Sequence, residues 1–152
     1  MRVRVLGSAA GGGFPQWNCH CGTCEAARAG VRARPRTQSS LAIRGEEGPW
    51  FLVNASPDLR QQLETIALQP GDGVRASPIA GVLLTDAESD HTAGLLLLRE
   101  GTSPVRVFGA EGIERALSDT VVRMLERFCG VEWQTLEAGR ATSLEGRRPQ
   151  GY

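Results

Sequence analysis

Three of the four cysteines in this chain lie within six positions of one another, in the stretch FPQWNCHCGTC that runs from Phe14 to Cys24. The spacing C-x-C-x-x-C constrains the backbone around it, because thiols this close either share a partner or strain one another. Cys19 and Cys21 would close a strained ring as a disulfide, so a covalent staple is a poor reading. Cys21 and Cys24 alone have the spacing of a redox pair, but such pairs open a helix directly after a strand, whereas a glycine-rich loop precedes this one. Three thiolates on one irregular loop can converge on a tetrahedral zinc, and a closed set of four donors would make that zinc structural. Metal cage, redox pair and ordinary buried cysteines all stay open on spacing alone, with the cage preferred. His20, wedged between two ligand positions, is expected to point away from them, and Cys129 follows a long helix. The fourth donor is therefore expected from outside these residues.

What those thiols do depends on the compartment. No run approaches the roughly 20 apolar residues of a membrane span. The apolar part of MRVRVLGSAAGGG is also shorter than the about 7–15 residues of a signal-peptide core. The expected location is the cytoplasm, where clustered cysteines bind metal or catalyse more often than they pair. Lys+Arg and Asp+Glu each number 17, so charge gives no argument for nucleic acid or an anionic membrane as partner. Every basic residue is arginine, a bias that genome composition explains. Only Arg28, Arg32, Arg34 and Arg36 pile charge together, and a solvated loop is preferred there over an anion site.

The 152 residues, 41% of them hydrophobic, suffice for one domain with a real core. RVRVLG alternates with period two and reads as a strand with its valines on one face. GSAAGGG lacks the Lys-Ser/Thr of a phosphate loop and reads instead as a tight turn that lets backbone approach a metal or substrate. SSLAI and PWFLVNA read as two more strands joined by the turn RGEEG. SPDLRQQLETIAL reads as a helix capped by Ser56, with Leu59, Leu63, Ile66 and Ala67 on one face. PIAGVLL has the length of a buried strand, TAGLLLLRE is a short helix candidate and PVRVFGA is an alternating strand. GIERALSDTVVRMLERF is an amphipathic helix with Ile113, Leu117, Val121, Met124, Leu125 and Phe128 on one side, and VEWQTL is a last strand. Trp17 is core or pocket wall. These elements predict an α/β (α+β) layering, a mixed sheet with helices on its outer face over residues 1–140, and a tail at 141–152.

The loop LLTDAESDHTAGLL gathers Asp86, Glu88, Asp90 and His91 where the buried strand ends and a helix begins. Carboxylates and an imidazole at a strand's C-terminal edge suit a hard or borderline divalent ion. A solvated loop with an N-capping residue is the competing reading.

The segment Thr85-Asp86-Ala87-Glu88-Ser89-Asp90-His91, followed by Gly94-Leu95, resembles the T-H-x-H-x-D-H signature of the metallo-β-lactamase superfamily. VLGSAAGGGFPQWNCHCGTC, RPRTQSS, NASPDLRQQL and LLTDAESDHTAGLLLLREG together resemble the N-terminal half of the PqqB family of pyrroloquinoline quinone (PQQ) biosynthesis proteins. The resemblance implies the first half of an αββα sandwich and a site metal on Asp86, Asp90 and His91, with Glu88 as an optional donor and Asp90 and His91 as the catalytic pair. Both histidines of the signature's first half are replaced here, by Asp86 and Glu88. That argues against zinc-hydroxide hydrolysis and for an oxygen-preferring ion, iron first. The resemblance also implies a structural zinc on Cys19, Cys21 and Cys24, completed by a histidine beyond this chain. The activity it implies is metal-dependent oxygenation of a tyrosine ring in a small precursor carrying crosslinked glutamate and tyrosine. A non-catalytic carrier of PQQ or its precursor toward the periplasm is the alternative, and a zinc-stabilised binding module is the third. A chain that stops after one half is expected to be a fragment, catalytically incomplete, and prone to dimerise through the sheet face left bare.

Overall fold

A computed structural model of the chain describes residues 1–66, 77–101 and 103–144. Six strands form one sheet in strict chain order: β1 (Arg2–Gly7), β2 (Ser40–Arg44), β3 (Trp50–Val53), β4 (Ile79–Leu83), β5 (Val105–Gly109) and β6 (Val131–Thr135). The first three run antiparallel, and β3 through β6 are parallel to their neighbours. The expected mixed sheet is thus present, and its parallel half dictates where the helices go. Each parallel step needs a crossover, and right-handed crossovers that always advance in one direction place every helix on the same face.

That face carries the core. Ala42, Leu52, Val82 and Val107 are fully buried beneath Leu59, Ile66, Leu95, Leu117 and Leu125 from the connecting segments. The other face is also apolar. It carries Val3, Val5, Leu41, Ile43, Phe51, Val53 and Phe108 by register, and among the described residues the helices that build the core pack on the opposite face. Phe51 and Phe108 are buried, meeting edge to face beside Gly81 with ring centroids 6.0 Å apart and with Arg106 over the Phe108 ring at 5.2 Å, while Val3 and Val5 at the sheet edge stay exposed. One sheet with helices on a single face is half of a four-layer sandwich.

Three local expectations are corrected. Helix α2 (Leu59–Leu63) is not capped by Ser56; the N-cap is Asp58, and Ser56 Oγ donates instead to Gln62 Oε1 at 3.0 Å in the interior. Burial at 0% makes that tertiary bond the stronger claim on the hydroxyl. The long amphipathic helix is α4 (Glu111–Leu117), a π-helical turn (Ser118–Val122) and α5 (Arg123–Leu125). The wide turn rotates the inward stripe, so Leu125 and Cys129 face the core while Met124 and Phe128 are exposed. Trp17 is neither core nor pocket wall, being 81% exposed. Helix α3 (Ser89–Thr92) continues as a 3₁₀ helix (Ala93–Glu100), in the place expected for a short helix. Ala67 and tail residues 145–152 lie outside the described residues. No helix among the described residues is long and apolar enough to cross a membrane.

Candidate metal centres

The cysteine loop leaves β1, makes bridges from Ala9 to Gln38 and from Phe14 to Arg36, and ends in helix α1 (Gly22–Arg28). Cys21 is the N-cap of that helix and Cys24 lies on its buried side. The sulfurs of Cys19, Cys21 and Cys24 all fall within 4.8 Å of one another. Sulfurs on one tetrahedral zinc sit about 3.8 Å apart, given a Zn–S bond of about 2.3 Å, so small side-chain rotations fit the trio to an ion.

His20 points away as expected, pairing its Nδ1 with Glu25 Oε1 at 2.9 Å. Cys129 packs against the core at the far end of α5. Among the described residues the trio has no fourth His, Cys, Asp or Glu beside it.

Arg28 holds the loop in shape. Its guanidinium donates to the carbonyls of Cys19 (2.7 Å) and Gln16 (2.6 Å) and to Glu25 (2.6 Å), while Arg36 lies over the Phe14 ring at 5.1 Å. Two of the four clustered arginines are thus occupied within the chain, which agrees with a structural loop and not with an anion site.

The thiols divide a proton unevenly. The Cys24 N–H, the Cys19 and Cys24 side chains and the Thr23 N–H all stabilise the Cys21 thiolate and lower its pKa to about 7. At Cys24 the Gln16 N–H pulls downward, but burial and the neighbouring Cys19 and Cys21 push its pKa up overall. Cys21 is therefore the reactive member of the metal-free trio. Iodoacetamide at pH 7 is expected to label Cys21 first and Cys24 last, by peptide mass mapping, and saturating zinc is expected to suppress the labelling. Equal labelling of all four cysteines contradicts the assignment.

The second centre forms where β4 ends. The Thr85 N–H is taken by Asn54 Oδ1 at 3.0 Å, and the chain then turns on Asp86, whose Oδ1 accepts the Glu88 N–H at 3.0 Å. Glu88 becomes the N-cap of α3, and Asp90 and His91 follow within that helix. His91 Nδ1 lies 2.8 Å from both oxygens of Asp86, and Nε2 lies 3.8 Å from Asp90 Oδ2. Burial raises the Asp86 pKa, but the Glu88 N–H, His91 and the Thr85 hydroxyl outweigh it and hold the group below its ordinary value.

Asp86 and Asp90 address opposite nitrogens of the His91 ring. Among the described residues only the cysteines bring three ligand atoms together. The Glu88 side chain is exposed and takes no part in these contacts. Asp90 and His91 are left as the pair that fits an ion. Their side chains are 24% and 22% exposed, and at 3.8 Å one ion about 2.1 Å from each can bridge them. Gly11 explains part of the glycine loop: a Cβ there would stand 3.1 Å from Asp90 Oδ2, so glycine lets the loop approach this carboxylate without crowding it. Sequence reading missed Asn54, Thr85 and Arg28 as supports, and the asparagine ending a strand in NASPD was the available signal.

Residues 49–149 match the family described as beta-lactamase superfamily domain. Coenzyme PQQ synthesis protein B of Methylococcus capsulatus is 49% identical over 140 residues, covering 90% of this chain and 46% of that protein. Its counterpart in Methylobacterium radiotolerans is 56% identical over 115 residues, 74% of this chain and 38% of that protein. The crystal structure of Zn²⁺-bound PqqB from Methylobacterium extorquens superposes with a TM-score of 0.80 at 48% identity, covering 90% of this chain and 50% of that one. A diphosphatase of the PhnP family shares the fold, with a TM-score of 0.70 at 22% identity. The chain spans about half the length of the curated relatives it matches.

Proposed function

The chain belongs to the beta-lactamase superfamily, on the branch of the PqqB-type proteins it resembles along most of its length, and from that premise we propose that it serves PQQ synthesis by holding part of the metal centre of an oxygenase. The observation that carries the reading is the pair Asp90 and His91 Nε2, half-buried and facing one another at the C-terminal edge of the sheet. A carboxylate and an imidazole are two of the three donors of a non-haem iron site, and the oxygen-rich loop without a second histidine suits iron better than a hydrolytic zinc. Among the described residues no third donor completes the set. A divalent iron bound there supplies dioxygen activation for adding oxygen to an aromatic ring.

The residues of this chain have simpler tasks. Asp90 and His91 offer their donors from the first turn of α3, and the Gly11 backbone lies close to Asp90. The cysteine loop that carries Gly11 would be fixed by a zinc on Cys19, Cys21 and Cys24. The substrate in this reading is a cytoplasmic peptide-derived precursor with crosslinked glutamate and tyrosine.

Anaerobic Fe²⁺ loading of the zinc-replete chain joined to the second half of a PqqB-type relative, followed by dioxygen, a two-electron reductant such as ascorbate and a crosslinked Glu–Tyr peptide, tests it. The expected product is heavier by one oxygen atom, is formed only with iron, and is lost in Asp90→Ala and His91→Ala. Equal conversion without iron or in those variants overturns the oxygenase reading. Tight binding of the precursor with no dependence on any cation would favour the carrier alternative.

A further inference from the structure

The protein treats the two nitrogens of His91 differently. Nδ1 has a carboxylate at hydrogen-bonding distance, whereas Nε2 stands 3.8 Å from Asp90 Oδ2, too far for a hydrogen bond. Nor is the position of the ring proton left to the ring. Asp86 already accepts the Glu88 N–H on Oδ1 at 3.0 Å and the Thr85 hydroxyl on Oδ2 at 2.9 Å. A carboxylate with donors on both oxygens is an acceptor only, so the bond to His91 requires the proton on Nδ1.

Asn54 holds Thr85 from the end of β3. Its Nδ2 donates to Thr85 Oγ1 at 2.9 Å while its Oδ1 takes the Thr85 N–H at 3.0 Å. The single Thr85 hydroxyl proton has two acceptors in reach, Asp86 Oδ2 at 2.9 Å and Asn54 Oδ1 at 3.1 Å, and the nearer, charged carboxylate is the stronger. Asn54 is buried and held at φ 62° at the end of β3, a left-handed conformation asparagine tolerates better than most residues. The side-chain series Asn54 Nδ2, Thr85 Oγ1, Asp86 Oδ2 thus starts at the end of β3 and runs donor to acceptor until it meets the His91 ring.

We propose that Asp86 is a positioning residue that holds His91 as the Nδ1–H tautomer, leaving the Nε2 lone pair aimed at Asp90 to receive a divalent cation. The inference rests on the reading that Asp90 and His91 hold such a cation, and it moves Asp86 from ligand to support. Metal-binding imidazoles use such a partner to fix ring orientation and raise ligand basicity.

The chain contains two histidines, His20 and His91, so ring ¹⁵N–¹H correlation spectra at pH about 8.5, roughly two units above the ordinary imidazole value, resolve the tautomer, with His20→Gln assigning the peaks. The wild-type His91 is expected to show Nδ1–H. Asp86→Ala is expected to revert to the Nε2–H form that a free imidazole favours. Mn²⁺ is then titrated into the zinc-loaded chain, since thiolates compete poorly for an oxygen-preferring ion. Its binding, read from broadening of the His91 ring signals, is expected to weaken about 10- to 100-fold in Asp86→Ala and less in Thr85→Val, which keeps the carboxylate. The proposal is overturned by an Nε2–H wild type, by a tautomer unchanged in Asp86→Ala, or by a tautomer that flips with Mn²⁺ affinity intact. Mn²⁺ that leaves wild-type His91 untouched, with the Nδ1–H form present, points instead at the cation reading itself, and the role given to Asp86 falls with it.

Discussion

Cys24→Ser is expected to strip the chain of zinc and to lower its melting temperature by roughly 10 °C. Cys24 is the buried member of the trio, 5% exposed, and belongs to α1, so it ties the loop's ion to a helix where Cys19 and Cys21 tie it only to the loop. A ligand that binds the folded chain alone stabilises it by about 4 kcal/mol at a thousandfold excess over Kd. That loss falls on a segment with little else to hold it. Between Ser8 and Cys21 the loop has two isolated β-bridges and the carbonyl bonds from Arg28, and its outermost residues, Trp17 included, bury almost nothing. The effect should carry to the second centre, because Gly11 on this loop packs against Asp90. The sign of the pH dependence follows from the thiols. Only thiolates bind, so protons compete as pH falls through the Cys21 value of about 7, and the raised Cys24 strengthens that competition. Chelator should therefore remove zinc faster at pH 6 than at pH 8. Elemental analysis and thermal melts check both statements. Cys129→Ser serves as the control that keeps its zinc, and a Cys24→Ser chain with a full equivalent of zinc ends the argument.

What could be read before the fold was known divides along physical lines. Period-two alternation in Arg2–Val5 and the apolar run ending at Leu83 are local signals, and both became the strands they announced. The cysteine spacing is local too, since three residues in six positions cannot travel far from one another. The choices that went astray were decided by contacts and turns that the local pattern does not encode. Ser56 had the look of a cap, but Gln62 offered its hydroxyl a buried bond. The stripe through Met124 and Phe128 assumed an unbroken helix, and one wide turn at Ser118–Val122 moved it aside. Asp86 lies beside His91 and hydrogen-bonds its ring. Which nitrogen it meets depends on the turn that gives the Glu88 N–H to its own Oδ1, and on Thr85 being held from β3 by Asn54, 31 residues away. The valines of β1 were placed on one face correctly, yet alternation alone does not say whether anything covers that face.

Gly94→Ala is expected to damage both fold and site, and for a reason the side chains do not reveal. Gly94 lies where the segment after α3 crosses the chain leaving β3, and a Cβ there would drive into the backbone carbonyl oxygens of Ser56 and Ala55. Overpacking usually costs about 1–3 kcal/mol because side chains can shift. Here the obstacle is main chain, fixed by the bonds from the Gly94 N–H to the Ala55 carbonyl (2.9 Å) and from the Ala55 N–H to the His91 carbonyl (2.7 Å). A loss of about 3 kcal/mol or more, some 10 °C in a melt, is the expected size. Moving the crossing apart also lifts Leu95, fully buried at the centre of the core, and breaks the bond that holds the His91 backbone to the sheet. Cation affinity at Asp90 and His91 should therefore fall together with stability, even though Gly94 touches neither side chain. Ala93→Gly, one position earlier and outside the crossing, separates the clash from a general loss of helix: it should cost about 1 kcal/mol by propensity alone and leave Mn²⁺ binding unchanged. A Gly94→Ala chain that melts within a degree of wild type would show that the two segments do not meet as closely as the site requires.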